Sequence, residues 1–135
     1  MTSTLRCTCD GRPPLRPMVL EDGLPAAACP TCGAVLLRMD DWRRWRDRGA
    51  QLAGTPITEA AAPPAEAAHA RACPACARLM QRLPVHQALD FRVDRCGPCQ
   101  NLWLDRGEWA ALRQLGVALQ LDTLLSDGGQ RRLQA

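Results

Sequence analysis

Cys73-Pro-Ala-Cys76, nineteen residues, then Cys96-Gly-Pro-Cys99-Gln-Asn-Leu-Trp-Leu-Asp-Arg-Gly-Glu-Trp109 is the stretch that decides the fold. Two close cysteine pairs on separate chain turns offer four soft donors, the set that a tetrahedral zinc ion takes. The N-terminal half repeats the layout: Cys7-x-Cys9, again nineteen residues, then Cys29-Pro-Thr-Cys32. Shifting the chain by 67 residues lays Cys9, Cys29 and Cys32 on Cys76, Cys96 and Cys99, and Val35-Leu-Leu37 on Leu102-Trp-Leu104. This is an internal duplication. Only Cys7 falls out of step, by one residue, because its pair has a single spacer.

The layout predicts a small metal-stabilised α+β fold: two tandem zinc ribbons, each a β-hairpin with two cysteine knuckles followed by an α-helix. The first ribbon and a Trp/Arg helix take residues 1–53, and an Ala/Pro-rich linker with two acids takes 54–70. The second ribbon with a long helix takes 71–127, and 128–135 is a flexible tail. Each half is too small to bury a self-sufficient core, so a structural metal is the natural staple. Zinc binding supplies roughly 10–16 kcal/mol of apparent free energy, against about 5–15 kcal/mol for the whole stability of a typical domain. The metal-free chain is therefore expected to be unfolded around its cysteines.

Disulfides are the competing use of eight cysteines and need an oxidising compartment. The N-terminus carries no apolar stretch of signal-peptide form, and no run nears the roughly 20 residues of a membrane span. The expected location is cytoplasmic, with reduced thiols, two Zn2+ ions and no membrane partner. Iron and redox-active thiols remain the other readings of the same ligands. The formal charge of +3 changes on loading: each site adds +2 from the metal and −4 from its thiolates, so two sites take +3 to −1. Net charge thus makes no general case for nucleic-acid binding.

Within the first insert, Asp22-Gly23 between Met18-Val-Leu20 and Leu24 signals a tight hairpin turn. The second insert lacks such a dipeptide, and Leu83–Val85 and Phe91–Val93 are its expected arms. The C-terminal helix is expected from Arg106 to Leu125, capped by Asp105 with Glu108 as reciprocal partner and ended by Ser-Asp-Gly-Gly. Leu112, Leu115 and Leu119 form one stripe; Val117, Leu121, Leu124 and Leu125 form another. The second stripe must be covered by the other repeat or by another copy of the chain. The first helix starts near Asp40–Asp41 and carries Trp42, Arg43, Arg44, Trp45, Arg46 and Arg48. Its tryptophans either cap the small ribbon core or, with the arginines, face a protein or nucleic-acid partner. These residues and Val117, Leu121, Leu124 and Leu125 are the candidate partner surfaces.

No catalytic constellation is present in the sequence. His69 and His86 lack a partner at ligand spacing, and Asp90, Asp94, Asp105 and Glu108 have local turn or capping uses. Four thiolates leave a zinc ion no open position for substrate. The expectation is a non-enzymatic adaptor or regulatory protein that takes a protein partner, or self-associates, more readily than it takes nucleic acid. No small-molecule substrate is expected. The alternatives are a thiol-redox sensor that releases zinc when Cys7 and Cys9 are oxidised, and a nucleic-acid-binding ribbon.

The segment from Cys73 to Leu115, with its Trp103-Leu-Asp-x-Gly-Glu108 tail, resembles the TFIIB-like zinc-ribbon (transcription factor zinc-finger) family of small prokaryotic proteins. The resemblance implies that Cys73, Cys76, Cys96 and Cys99 are zinc ligands, that Asp105 and Glu108 open a helix, and that the protein is a binding module with a possible transcription-related role. Gln100-Asn101 stands where members commonly carry glycines. The N-terminal copy is diverged, with Leu-Leu-Arg-Met-Asp-Asp-Trp in place of the tail.

Overall fold

The structure is a computed structural model. It describes residues 5–9, 11–49, 71–85, 92–114 and 116–134. The expected linker 54–70, with His69, lies outside the described residues, as do His86, Asp90, Phe91 and Leu115.

Each half contributes three strands: β1 (Arg16–Glu21), β2 (Leu24–Ala28) and β3 (Val35–Arg38), then β4 (Gln81–Pro84), β5 (Arg92–Cys96) and β6 (Asn101–Leu104). The first hairpin turns at Asp22-Gly23, where Gly23 adopts φ 82°. In the second, Leu83 faces Val93. The two halves join in one six-stranded antiparallel sheet, ordered β1-β2-β3-β6-β5-β4. The expected hairpin-plus-helix unit is thus corrected: the short apolar run after each last cysteine pair is a strand, and these runs pair with each other.

Val-Leu-Leu and Leu-Trp-Leu are apolar on both faces, so they suit the centre of a sheet covered on both sides. Side chains alternate across a strand. Leu37, Leu102 and Leu104 enter the larger core with Trp42, Trp45, Val93, Trp109 and Leu112. Leu36 and Trp103 point the other way, into a cluster with Cys7, Cys29, Cys73 and Cys96. The seam pairs Val35 with Leu104, Leu36 with Trp103, and Leu37 with Leu102. Under the 67-residue shift this register maps onto itself, so a local two-fold passes through the Leu36–Trp103 pair.

On the larger core lie α1 (Met39–Asp47), α2 (Glu108–Gln114) and α3 (Leu121–Leu124), and α4 (Asp127–Gln134) follows against α3 and β4. α1 carries Asp40 and Asp41 in its first turn and basic residues in its last, matching the helix dipole. The single helix expected over Arg106–Leu125 is broken at Gly116, φ 72°. The Val117 N–H donates to Leu112 O at 3.0 Å and the Gly116 N–H to Arg113 O at 3.0 Å, the paired bonds of a Schellman stop. The chain therefore bends, and Leu112 and Leu119 of one stripe reach the same core as Val117, Leu121, Leu124 and Leu125 of the other.

Most of the expected tail 128–135 falls in α4. Ser-Asp-Gly-Gly starts a helix: Ser126 Oγ accepts the Gly129 N–H at 3.0 Å, an N-cap bond. Gln130 Nε2 then anchors α4 through Pro84 O at 2.8 Å and Leu124 O at 2.9 Å.

Candidate metal centres

Four backbone turns present the sulfurs. In three of them the residue after the second cysteine is left-handed: Gly33 at φ 78°, Ala77 at 67° and Gln100 at 57°. That reversal brings the Gly33 N–H to Cys29 O at 3.0 Å and the Ala77 N–H to Cys73 O at 2.8 Å. Cys7-x-Cys9 lacks one spacer and reverses over two residues instead, Gly11 at φ 83° and Arg12 at 44°. The departure at Gln100 is accommodated because its side chain donates to Gly97 O at 2.7 Å and accepts from Arg43 at 3.1 Å.

The result is two groups, Cys7/Cys9/Cys29/Cys32 and Cys73/Cys76/Cys96/Cys99, with all Sγ atoms of a group within 4.8 Å of one another. Cys7 to Cys32 is 3.7 Å, Cys9 to Cys29 is 3.6 Å and Cys76 to Cys96 is 3.6 Å. A tetrahedron with Zn–S bonds of about 2.3 Å has edges of ~3.8 Å, whereas a disulfide needs about 2.05 Å. The donors fit a zinc-sized ion without rearrangement. Backbone N–H groups support the sulfurs: Thr31 and Cys32 on Cys29, and Ala75 on Cys73, each at 3.4 Å. Asn101 Nδ2 adds a contact to Cys73 Sγ at 3.8 Å. Such donors fix ligand orientation and spread thiolate charge.

The thiols are not equivalent. Burial works against ionising Cys29, yet the N–H groups of Cys32 and Thr31 bring it down to about 6. The Arg78 N–H holds Cys76 down to about 7. Burial pushes the Cys7 thiol up, and the hydrogen bond shared with Cys76, followed by burial, pushes Cys99 up to about 12. Four thiolates this close repel, so one in each group ionises readily while others resist. A divalent cation relieves that conflict.

Both groups sit on the same face of the sheet and share the buried cluster of Leu15, Ala34, Leu36, Met80 and Trp103. Sequence reasoning missed two arginines that brace this face, Arg71 within its own repeat and Arg106 across to the other. Arg71 lies 2.5 Å from Asp105 and stacks 5.1 Å above the Trp103 ring. Burial works against its charge, but Asp105, and beyond it Cys32 and Cys7, hold its pKa above the ordinary value. Asp105 pairs with Arg71 through its carboxylate, and its own N–H donates to Glu108 Oε1 at 2.7 Å, a bond of the expected capping box. The aliphatic stem of Arg106 lies on Gly33, where an added Cβ would sit 3.1 Å from it. An arginine just before a knuckle carries no pattern of its own, so only the folded register reveals these roles.

The candidate partner surfaces are placed otherwise than as a free surface. Trp42, Trp45, Val117, Leu121 and Leu125 are buried in the larger core, and Leu124 packs against it half-buried. Trp42 Nε1 donates to Ala118 O at 2.9 Å, and Trp45 meets Trp109 edge-on with centroids 6.0 Å apart. The reason is the bend at Gly116, which wraps α3 over α1. The arginines of α1 have neighbours: Arg43 with Asp40, Arg44 with Asp41, Arg46 with Asp47 and Asp122, and Arg48 with Gly23 O. Among the described residues no helix is long and apolar enough to cross a membrane. Comparison of the chain with protein-family models, with curated proteins and with solved structures finds no match.

Proposed function

We propose that the protein is a non-enzymatic, two-zinc adaptor of the tandem TFIIB-like zinc-ribbon type that binds a macromolecular partner, protein rather than nucleic acid. The observation that carries the metal reading is the pair of complete four-cysteine groups with sulfurs 3.6–3.7 Å apart. Four thiolates saturate a tetrahedral zinc ion and leave it a structural role. The preference for a protein partner rests on the arginines of α1, whose charges are answered by Asp40, Asp41, Asp47 and Asp122. A phosphate-binding stripe needs uncompensated cations.

Elemental analysis of protein purified without tags or added metal, with nuclease treatment of any material that copurifies, tests both parts. Two zinc atoms per chain and a partner that survives nuclease are expected. Iron in place of zinc, or bound material lost to nuclease, overturns the corresponding half.

A further inference from the structure

Resting on the metal reading just given, we infer that the two four-cysteine sites fill cooperatively: loading one with a divalent cation tightens the other, with Arg71 as the positioning residue that couples them. The two sites are not separate beads. Cys7 and Cys29 of one repeat and Cys73 and Cys96 of the other share one buried cluster, whose centre is the Leu36–Trp103 pair at the seam. The first knuckles face each other across a cleft of about 360 Å3, with Arg6, Cys7, Thr8 and Arg12 opposite Ala72, Cys73 and Pro74.

The second knuckles are each braced by the other repeat. Arg106 lies on Gly33, while the Met39 N–H donates to Gln100 O at 2.8 Å and Arg43 to Gln100 Oε1 at 3.1 Å. Ordering one knuckle therefore fixes residues against which the opposite one packs. The second ion meets a site whose ordering cost has already been met, which is positive coupling.

Electrostatics pulls the other way, because two loaded sites carry −2 each and repel. The cations of the shared face answer that repulsion. Arg71 is the most enclosed of them, its side chain only 14% exposed, clamped between Asp105 and the Trp103 ring. Arg6 and Arg12 line the cleft from the other repeat but are exposed to solvent. Arg71 thus bears on both the packing and the charge of the seam.

Native mass spectrometry of the full chain at buffered free Zn2+ reads the coupling directly. Equal, independent sites leave about half the molecules singly loaded at half-saturation, unequal sites leave more, and ~100-fold coupling leaves roughly a tenth. The expected spectrum holds metal-free and doubly loaded protein with a minor singly loaded peak. A singly loaded fraction of half or more shows that any coupling is outweighed by the difference between the sites, which overturns cooperative filling while leaving two zinc sites intact; failure to take up zinc overturns the metal reading itself. Arg71→Gln should still reach two ions but raise the singly loaded fraction toward half, whereas Arg131→Gln, on exposed α4 surface, should match the parent. An Arg71→Gln spectrum identical to the parent's overturns the assignment of Arg71.

Discussion

Replacing Trp42 separates a core role from a partner-facing one. The side chain is fully buried, its indole N–H reaches Ala118 O in the opposite repeat at 2.9 Å, and Arg46 lies 4.9 Å over its ring. Truncation to alanine opens a cavity that costs about 3–5 kcal/mol in comparable cores. Leaving the Ala118 carbonyl without its donor adds roughly 1–3 kcal/mol, and the lost cation–π contact ~0.5–1 kcal/mol. Partial collapse makes these less than additive, so ~5 kcal/mol is expected for Trp42→Ala and about 2 kcal/mol for Trp42→Phe, which keeps a ring but loses the donor. At ~3–5 °C per kcal/mol for a chain of this size, the melting temperature should fall by ~15–25 °C and ~6–10 °C respectively. The assay is a thermal melt by circular dichroism at a fixed, buffered free zinc level, because metal occupancy itself moves Tm. A Trp42→Ala protein melting within ~2 °C of the parent would refute the packing of α1 against the segment that follows Gly116.

The corner between α3 and α4 allows a sharper contrast. A Cβ at Gly129 would sit 2.1 Å from Thr123 O, while one at Gly128 meets nothing closer than 4.0 Å. Gly129→Ala should undock α4 and speed tryptic cleavage after Arg131 by tenfold or more, whereas Gly128→Ala should be neutral or stabilising by ~0.5–1 kcal/mol. Equal protease resistance in the two variants would contradict the docked helix. The thiols carry a pH prediction. Cys76 is depressed to about 7, so its thiolate persists at neutral pH and is lost as pH falls through 7, whereas Cys99, raised to about 12, stays protonated throughout. After partial chelation, iodoacetamide should modify Cys76 before Cys99, with the Cys76 rate falling ~10-fold per unit below pH 7. Peptide mapping that finds Cys99 modified first sinks this order.

The metal groups were legible because ligand spacing is local chemistry: two cysteines on one turn must project together wherever the turn lands. The first hairpin was legible for the same reason, through Asp22-Gly23. Long-range register was not. Leu36 and Trp103 are far apart in the chain, and nothing in either run alone says that each is the other's neighbour. The expected long helix failed on Gly116, a residue whose left-handed φ outweighed the continuous apolar pattern around it. Ser126 was read as part of a stop because Gly-Gly usually breaks helices, yet at Gly129 the missing Cβ is what lets α4 approach the carbonyls of Thr123 and Leu124. The tryptophans of α1 look like a recognition surface only while the helix that covers them is drawn straight.

The two-fold through the seam has a consequence for how far the halves can differ. A single repeat would leave its last strand as an open edge, and the self-complementary register means that edge fits a second copy of itself. In a homodimer of one-ribbon chains the residue on the axis would face its own twin, so any change there would be made twice and would have to suit itself. A single chain that carries both repeats is free of that constraint. Leucine stands opposite tryptophan, and only one side of the axis carries the indole on which Arg71 stacks. Within one chain the two halves can differ where they touch.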